Sequence, residues 1–109
     1  MTRQAVPGRA AMAVAIAALA GCALHPAPTQ ELASSERAIA AAQAAGAAQL
    51  APADLALASG KLALGRRWVA SRDYEPARWL AEQAFVDAEL AAMKSQGRSM
   101  VRIASGTRP

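Results

Sequence analysis

Alanine constrains this chain more than any other feature. Apolar residues make up 54% of the 109, yet most of them are alanine. From residue 38 onward alanines come in runs, Ala40-Ala41-Ala42, Ala44-Ala45 and Ala47-Ala48, then recur singly at Ala77, Ala81, Ala84 and Ala88. Alanine has the highest intrinsic helix propensity. Its small side chain also lets a second helix approach to the short end of the 8–10 Å range. The pattern therefore predicts an all-α chain of closely packed helices.

Proline and aspartate divide that pattern into three. Thr29 is a candidate N-cap, with Glu31 in the first turn of a helix over 29–49 on which Leu32, Ile39, Gly46 and Leu50 share a stripe. Ala51-Pro52-Ala53-Asp54 closes it and opens the next, since proline is tolerated in a first helical turn. This second helix, 52–71, carries a heptad row of Leu55, Leu62 and Val69 beside Leu57, Leu64 and Trp68. Asp73-Tyr74-Glu75-Pro76 repeats the start signal, with Asp73 a candidate cap. A third helix then covers 74–94 or longer, reaching about 45 Å if it extends to Ile103. On it Trp79, Val86, Met93 and Met100 recur every seven residues, joined by Leu90 and flanked by the alanine row. Loops this short make neighbouring helices antiparallel. The expected architecture is a small antiparallel hairpin plus one further helix, running up, down, up.

The N-terminus has a different character. Arg3 and Arg9 precede an apolar run of eleven residues, Ala10 to Ala20, and Leu19-Ala20-Gly21-Cys22 follows. Eleven residues suit a secretory signal and are too few to span a bilayer comfortably. The four-residue motif resembles the bacterial lipobox, in which an aliphatic residue and two small ones precede a cysteine whose thiolate takes a lipid. Residues 1–21 are thus expected to be a lipoprotein signal. Residues 22–28, with Pro26 and Pro28, are expected to be a lipidated, extended tether reaching roughly 20 Å. The resemblance implies a diacylglyceryl group and an N-acyl chain on Cys22, a periplasm-facing membrane anchor and no other cofactor. Ala23 stands where an aspartate usually signals inner-membrane retention in enterobacterial lipoproteins, so the outer membrane is the expected location. Cys22 is the only cysteine, so no intramolecular disulfide is open to the chain.

The part after residue 21 carries ten basic and eight acidic residues. The imbalance sits in a basic C-terminal extension, 95–109, expected to be helical and then disordered, with Lys94 just before it and Arg98, Arg102 and Arg108 within it. Only twenty large apolar or aromatic side chains follow residue 21, which predicts a thin and marginally stable core.

The core of the sequence resembles a bacterial family called domain of unknown function 4398 (DUF4398), over roughly Glu36 to Ala92. The resemblance rests on Ala45-Gly46-Ala47, Ala51-Pro52 with Leu55, Lys61-Leu62, Asp73-Tyr74, Leu80-Ala81-Glu82-Gln83-Ala84 and Asp87-Ala88. It implies an envelope lipoprotein or exported protein and brings no established activity. Leu64-Gly65, Trp68, Ala77 and Ala84 give a weaker likeness to a single tetratricopeptide repeat, consistent with small residues where two helices cross.

The sequence offers no Ser/His/Asp set, second cysteine, metal-ligand cluster or phosphate loop, so no catalytic or metal residue is assigned. His25, the single histidine, falls in the tether. Neither a nucleic-acid motif nor a small-molecule site is evident. The expectation is a structural or protein-interaction module that meets another envelope protein or a second copy of itself. An alternative is a basic tail that touches an envelope polymer or the membrane. Trp68, Tyr74, Trp79 and Phe85 are the candidate contact residues, since aromatic side chains dominate interface energetics. Their helical stripes fit hairpin core better than contact surface. Glu75–Arg78 and Arg78–Glu82 are expected as surface pairs on one helix.

Overall fold

Where the helices stop is set by prolines and by three residues in left-handed conformation, Gly46, Arg72 and Gly106. The computed structural model describes residues 26–106, in which four helices follow one another: α1 (Thr29–Ala44), α2 (Ala47–Leu50), α3 (Pro52–Ala70) and α4 (Tyr74–Ala104). No strand occurs among the described residues. Cys22, the rest of the lipobox and His25 lie outside them, as do 107–109.

The helix expected over 29–49 is broken at Ala45-Gly46. Gly46 sits at φ 89°, and its N–H donates to Gln43 O, which closes α1. Its carbonyl then accepts from Gln49 and Leu50 to start the one-turn α2. Thr29 is the first helical residue rather than a cap; the Pro28 carbonyl accepts from Leu32 N–H at 3.0 Å, and no side chain caps the end. Pro52 does open α3, with Asp54 in the first turn. That helix ends in a Schellman pair: Asp73 N–H donates to Trp68 O and Arg72 N–H to Val69 O, both at 2.9 Å. The left-handed position is filled by Arg72 at φ 61°, where glycine is the usual occupant. Asp73 stands at the N-cap of α4 without a side-chain capping bond. α4 runs through Gly97 to Ala104, about 46 Å.

Cross-links between helices fix the topology. Glu31 pairs with Arg78 at 3.3 Å and the Ser35 hydroxyl reaches Ala81 O, so α1 and α4 run parallel. Lys61 pairs with Asp87 at 2.7 Å, Lys94 with Asp54 at 2.9 Å, and Arg98 donates to Leu50 O, so α3 runs antiparallel to α4. Glu36 with Arg66 ties α1 to α3. The up, down, up order is the expected one. Arg78 is not paired within α4 as expected; besides Glu31 it donates to Pro26 O at 3.1 Å. Pro28 is buried, so the end of the tether lies on the bundle instead of standing free.

The core is made of small residues. One cluster joins Ala38 and Ile39 of α1, Ala58 and Leu62 of α3, and Ala84 and Ala88 of α4. A second gathers Ala42, Ala47, Ala51 and Ala91, and Leu55 packs against both. Ser35 and Ser95 are fully buried, each with its hydroxyl on a helical carbonyl four residues back. Gly65 lies against Ala77 O and Leu80, a crossing that a large side chain would block.

Candidate interaction surface

α4 has two apolar faces, and the fold uses the one with the smaller side chains. Ala77, Ala81, Ala84, Ala88, Ala91 and Ser95 alternate at spacings of four and three, and every one is buried. Residues two further along a helix lie about 200° around it. That offset places Trp79, Val86 and Met93 on the opposite side, with Met100 continuing the row. Their exposures are 58%, 62%, 61% and 69%. The usual arrangement, large side chains inward and polar ones outward, is inverted here. Alanine and glycine let three backbones approach closely, and the dispersion gained along them decides which face turns inward.

The sequence-derived contact residues separate on this scaffold. Trp79 is well exposed, and Phe85 at 39% and Trp68 at 38% lie on the surface too, so their helical stripes do not make them core. Tyr74 is half-buried in the first turn of α4, beside Arg72, Asp73, Glu75 and Arg78. Glu82 and Val86 together form the crest between two shallow grooves. One, towards α3, is lined by Trp79, Gln83, Lys61 and Asp87; the other, towards α1, by Phe85, Gln30, Glu31 and Ser34. Lys61 also borders a third groove, lined on α3 by Ala53, Ala56, Leu57, Gly60 and Leu64. Leu57 and Leu64 are 54% and 43% exposed. An apolar surface therefore runs from α3 onto α4, interrupted by the Lys61–Asp87 ion pair and by the exposed Glu82. Trp68 and Tyr74 line none of these three grooves.

A family model described as a domain of unknown function (DUF4398) matches residues 30–102, nearly all of the described chain. The chain belongs to the DUF4398 family. No curated protein and no solved structure matches it significantly. The matched DUF4398 region takes in all four helices, including the stretch of α4 beyond residue 94.

Sequence reasoning passes over several members of this surface. The heptad spacing marks Val86, Met93 and Met100 as a row without marking them as contacts, and marks Leu57 and Leu64 only as part of a stripe. Their signal was present: two apolar rows on opposite sides of one helix cannot both face the same bundle. The basic C-terminal residues are partly engaged within the chain, since Lys94 holds Asp54 and Arg98 holds Leu50 O. Among the described residues no helix is long and apolar enough to cross a membrane, and no group of three or more His, Cys, Asp or Glu is placed to hold a metal ion.

Proposed function

We propose that this DUF4398 chain is a lipid-anchored envelope lipoprotein, facing the periplasm from the outer membrane, whose helical bundle serves as a protein-interaction module. The observation that carries the module reading is the exposed row of Trp79, Val86 and Met93 on α4, with Leu57 and Leu64 beside it on α3. Monomeric soluble proteins rarely leave contiguous apolar patches of more than a few hundred Å² open to water. The anchor reading rests on the order of Arg3, Arg9, the apolar run and Leu19-Ala20-Gly21-Cys22. More than one acyl chain on Cys22 makes attachment stable, where a single chain would not.

Arg78 donates to Pro26 O beside the N-termini of α1 and α4, so the chain enters the bundle at that end, which is the end a lipid on Cys22 would tether. The other end of α4 lies about 46 Å away along the helix.

Labelled palmitate tests the anchor: the label enters the wild-type chain, and Cys22→Ser abolishes it and moves the protein from the membrane to the soluble fraction. Label that persists in Cys22→Ser overturns the anchor. Trp79→Ala tests the module. The exposed position predicts unchanged helicity by circular dichroism together with weaker capture of the protein bound in cells. Unchanged capture removes Trp79 from the contact.

A further inference from the structure

The chain enters the bundle pinned, well before its first helix. Arg78, one turn into α4, donates to Pro26 O at 3.1 Å and pairs with Glu31 of α1 at 3.3 Å. Thr29 N–H donates to Ala27 O at 2.8 Å, and Pro28 is fully buried. Only residues 23–25 separate Pro26 from Cys22. A chain advances at most ~3.6 Å per residue, so Cys22 lies within ~14 Å of Pro26 whatever path those residues take. The polar layer on each side of a bilayer's apolar core is ~5–8 Å deep. A lipid on Cys22 therefore keeps this end of the bundle within a long side chain's reach of the headgroups.

The residues at that end suit such a contact. α3 runs antiparallel to α4, so the last turn of α3 and the turn into α4 share the end with Pro26. Arg72, Asp73, Tyr74 and Glu75 line one cavity with Arg78. Trp68, in the last turn of α3, is 38% exposed, and Tyr74 is half-buried. Tryptophan and tyrosine are the side chains enriched at membrane–water interfaces, where an apolar ring and a polar tip are both accommodated. Arg66 is held by Glu36, but Arg67, Arg72, Asp73 and Glu75 are exposed and enter no ion pair among the described residues. Two cations and two acids balance. The end thus matches a layer that carries phosphate and ammonium groups together better than it matches a polyanion. Guanidinium groups bind phosphate oxygens through two parallel hydrogen bonds.

We propose that the α3–α4 turn is a membrane-seated end, on which Arg67, Trp68, Arg72 and Tyr74 meet a zwitterionic lipid headgroup layer. The far end of α4 then points away from the bilayer. This rests on the lipid anchor and not on the interaction module. It shortens the roughly 20 Å tether expected from the sequence to the three residues before Pro26.

The test uses the chain purified from cell membranes and reconstituted in phosphatidylcholine vesicles that contain a lipid with a nitroxide on its headgroup. Mass spectrometry first reads the acyl groups on Cys22. A thiol-linked fluorophore is placed at Ser71→Cys in the turn, or at Gln96→Cys, about 33 Å along α4 from Tyr74. Both positions are exposed, and the acylated sulfur of Cys22 does not react. Quenching by the nitroxide is expected to be at least threefold stronger at 71 than at 96. Arg67→Ser with Trp68→Ser, both at exposed positions, is expected to lower the quenching at 71 by at least half while helicity stays unchanged. A chain without acyl groups overturns the anchor reading, and this proposal with it. An acylated chain with no quenching at 71 overturns the membrane-seated end alone. Equal quenching at 71 and 96 means that the bundle lies flat, which overturns it as well. Quenching at 71 that survives the double variant unchanged overturns the contact assigned to these side chains.

Discussion

Gly65 shows at the scale of one residue how narrow this core is. A Cβ built there meets Ala77 O at 3.4 Å, Leu80 Cβ at 3.5 Å and Ala81 N at 3.9 Å. A methyl group just fits, and a branched side chain has to displace the backbone of α4. Gly65→Ala is therefore expected to leave stability nearly unchanged or to raise it by up to about 1 kcal/mol, the helix-propensity difference between the two residues. Gly65→Val is expected to lose about 1–3 kcal/mol through overpacking. Gly60 is the control: nothing lies within 4 Å of its added Cβ, so Gly60→Ala gains about 1 kcal/mol without steric cost. Urea unfolding of the three variants checks the series, and a Gly65→Val as stable as Gly60→Ala would remove the close crossing. Ala84, with no exposed surface at all, is governed by the same physics, and Ala84→Leu belongs with Gly65→Val.

At the scale of the element, the helix ends divide into those written in side chains and those written in backbone conformation. Pro52 with Asp54, and Asp73 with Pro76, announced the starts of α3 and α4 because proline and aspartate have few other uses in a helical pattern. The break at Gly46 was not legible. An isolated glycine in a helix is tolerated at about 1 kcal/mol, and the alanines on both sides show no periodicity that would shift phase across a break. Arg72 was harder still, since arginine gives no hint of a left-handed residue; what holds it there is the pair of bonds from Arg72 and Asp73 back into α3. A non-glycine residue in that conformation costs about 1–2 kcal/mol. Arg72→Gly relieves this cost and loses some of the gain to the greater freedom of glycine in the unfolded chain. The net expectation is a stabilisation of about 0.5–1 kcal/mol, read as a rise in Tm with no change in helicity. Gly46→Ala moves in the opposite direction by about 1 kcal/mol, because alanine has to take φ 89° or distort the α1–α2 corner.

At the scale of the whole molecule, the helical class, the three main helices and their order were legible, because alanine and proline state them. Which side of α4 turns inward was not. Sequence periodicity marks apolar faces but does not rank two of them, and the aromatic stripes of Trp79 and Phe85 read as core for that reason. Close approach of small residues decided the matter, leaving Ile39, Leu62 and Leu80 as the only large aliphatic side chains in the buried core of the described residues. A bundle with so few large buried side chains has little stability to spare, and covering its outward face would add what the interior lacks. The consequence is measurable as mass action. If a second copy supplies the cover, folding and pairing are coupled and the melting temperature depends on protein concentration. Each tenfold increase adds about 1.4 kcal/mol to the stability of the pair, which for chains of this size is a shift of a few degrees. The full-length chain with Cys22→Ser, chosen to remove the lipid expected there, should then melt higher as its concentration is raised from about 1 to 100 µM. Adding Val86→Glu and Met93→Glu should flatten that dependence at the dilute-limit value, because both glutamates sit in water on the single bundle and are buried only in the pair. A wild-type face with a Tm that does not move with concentration would rule out a second copy as its cover.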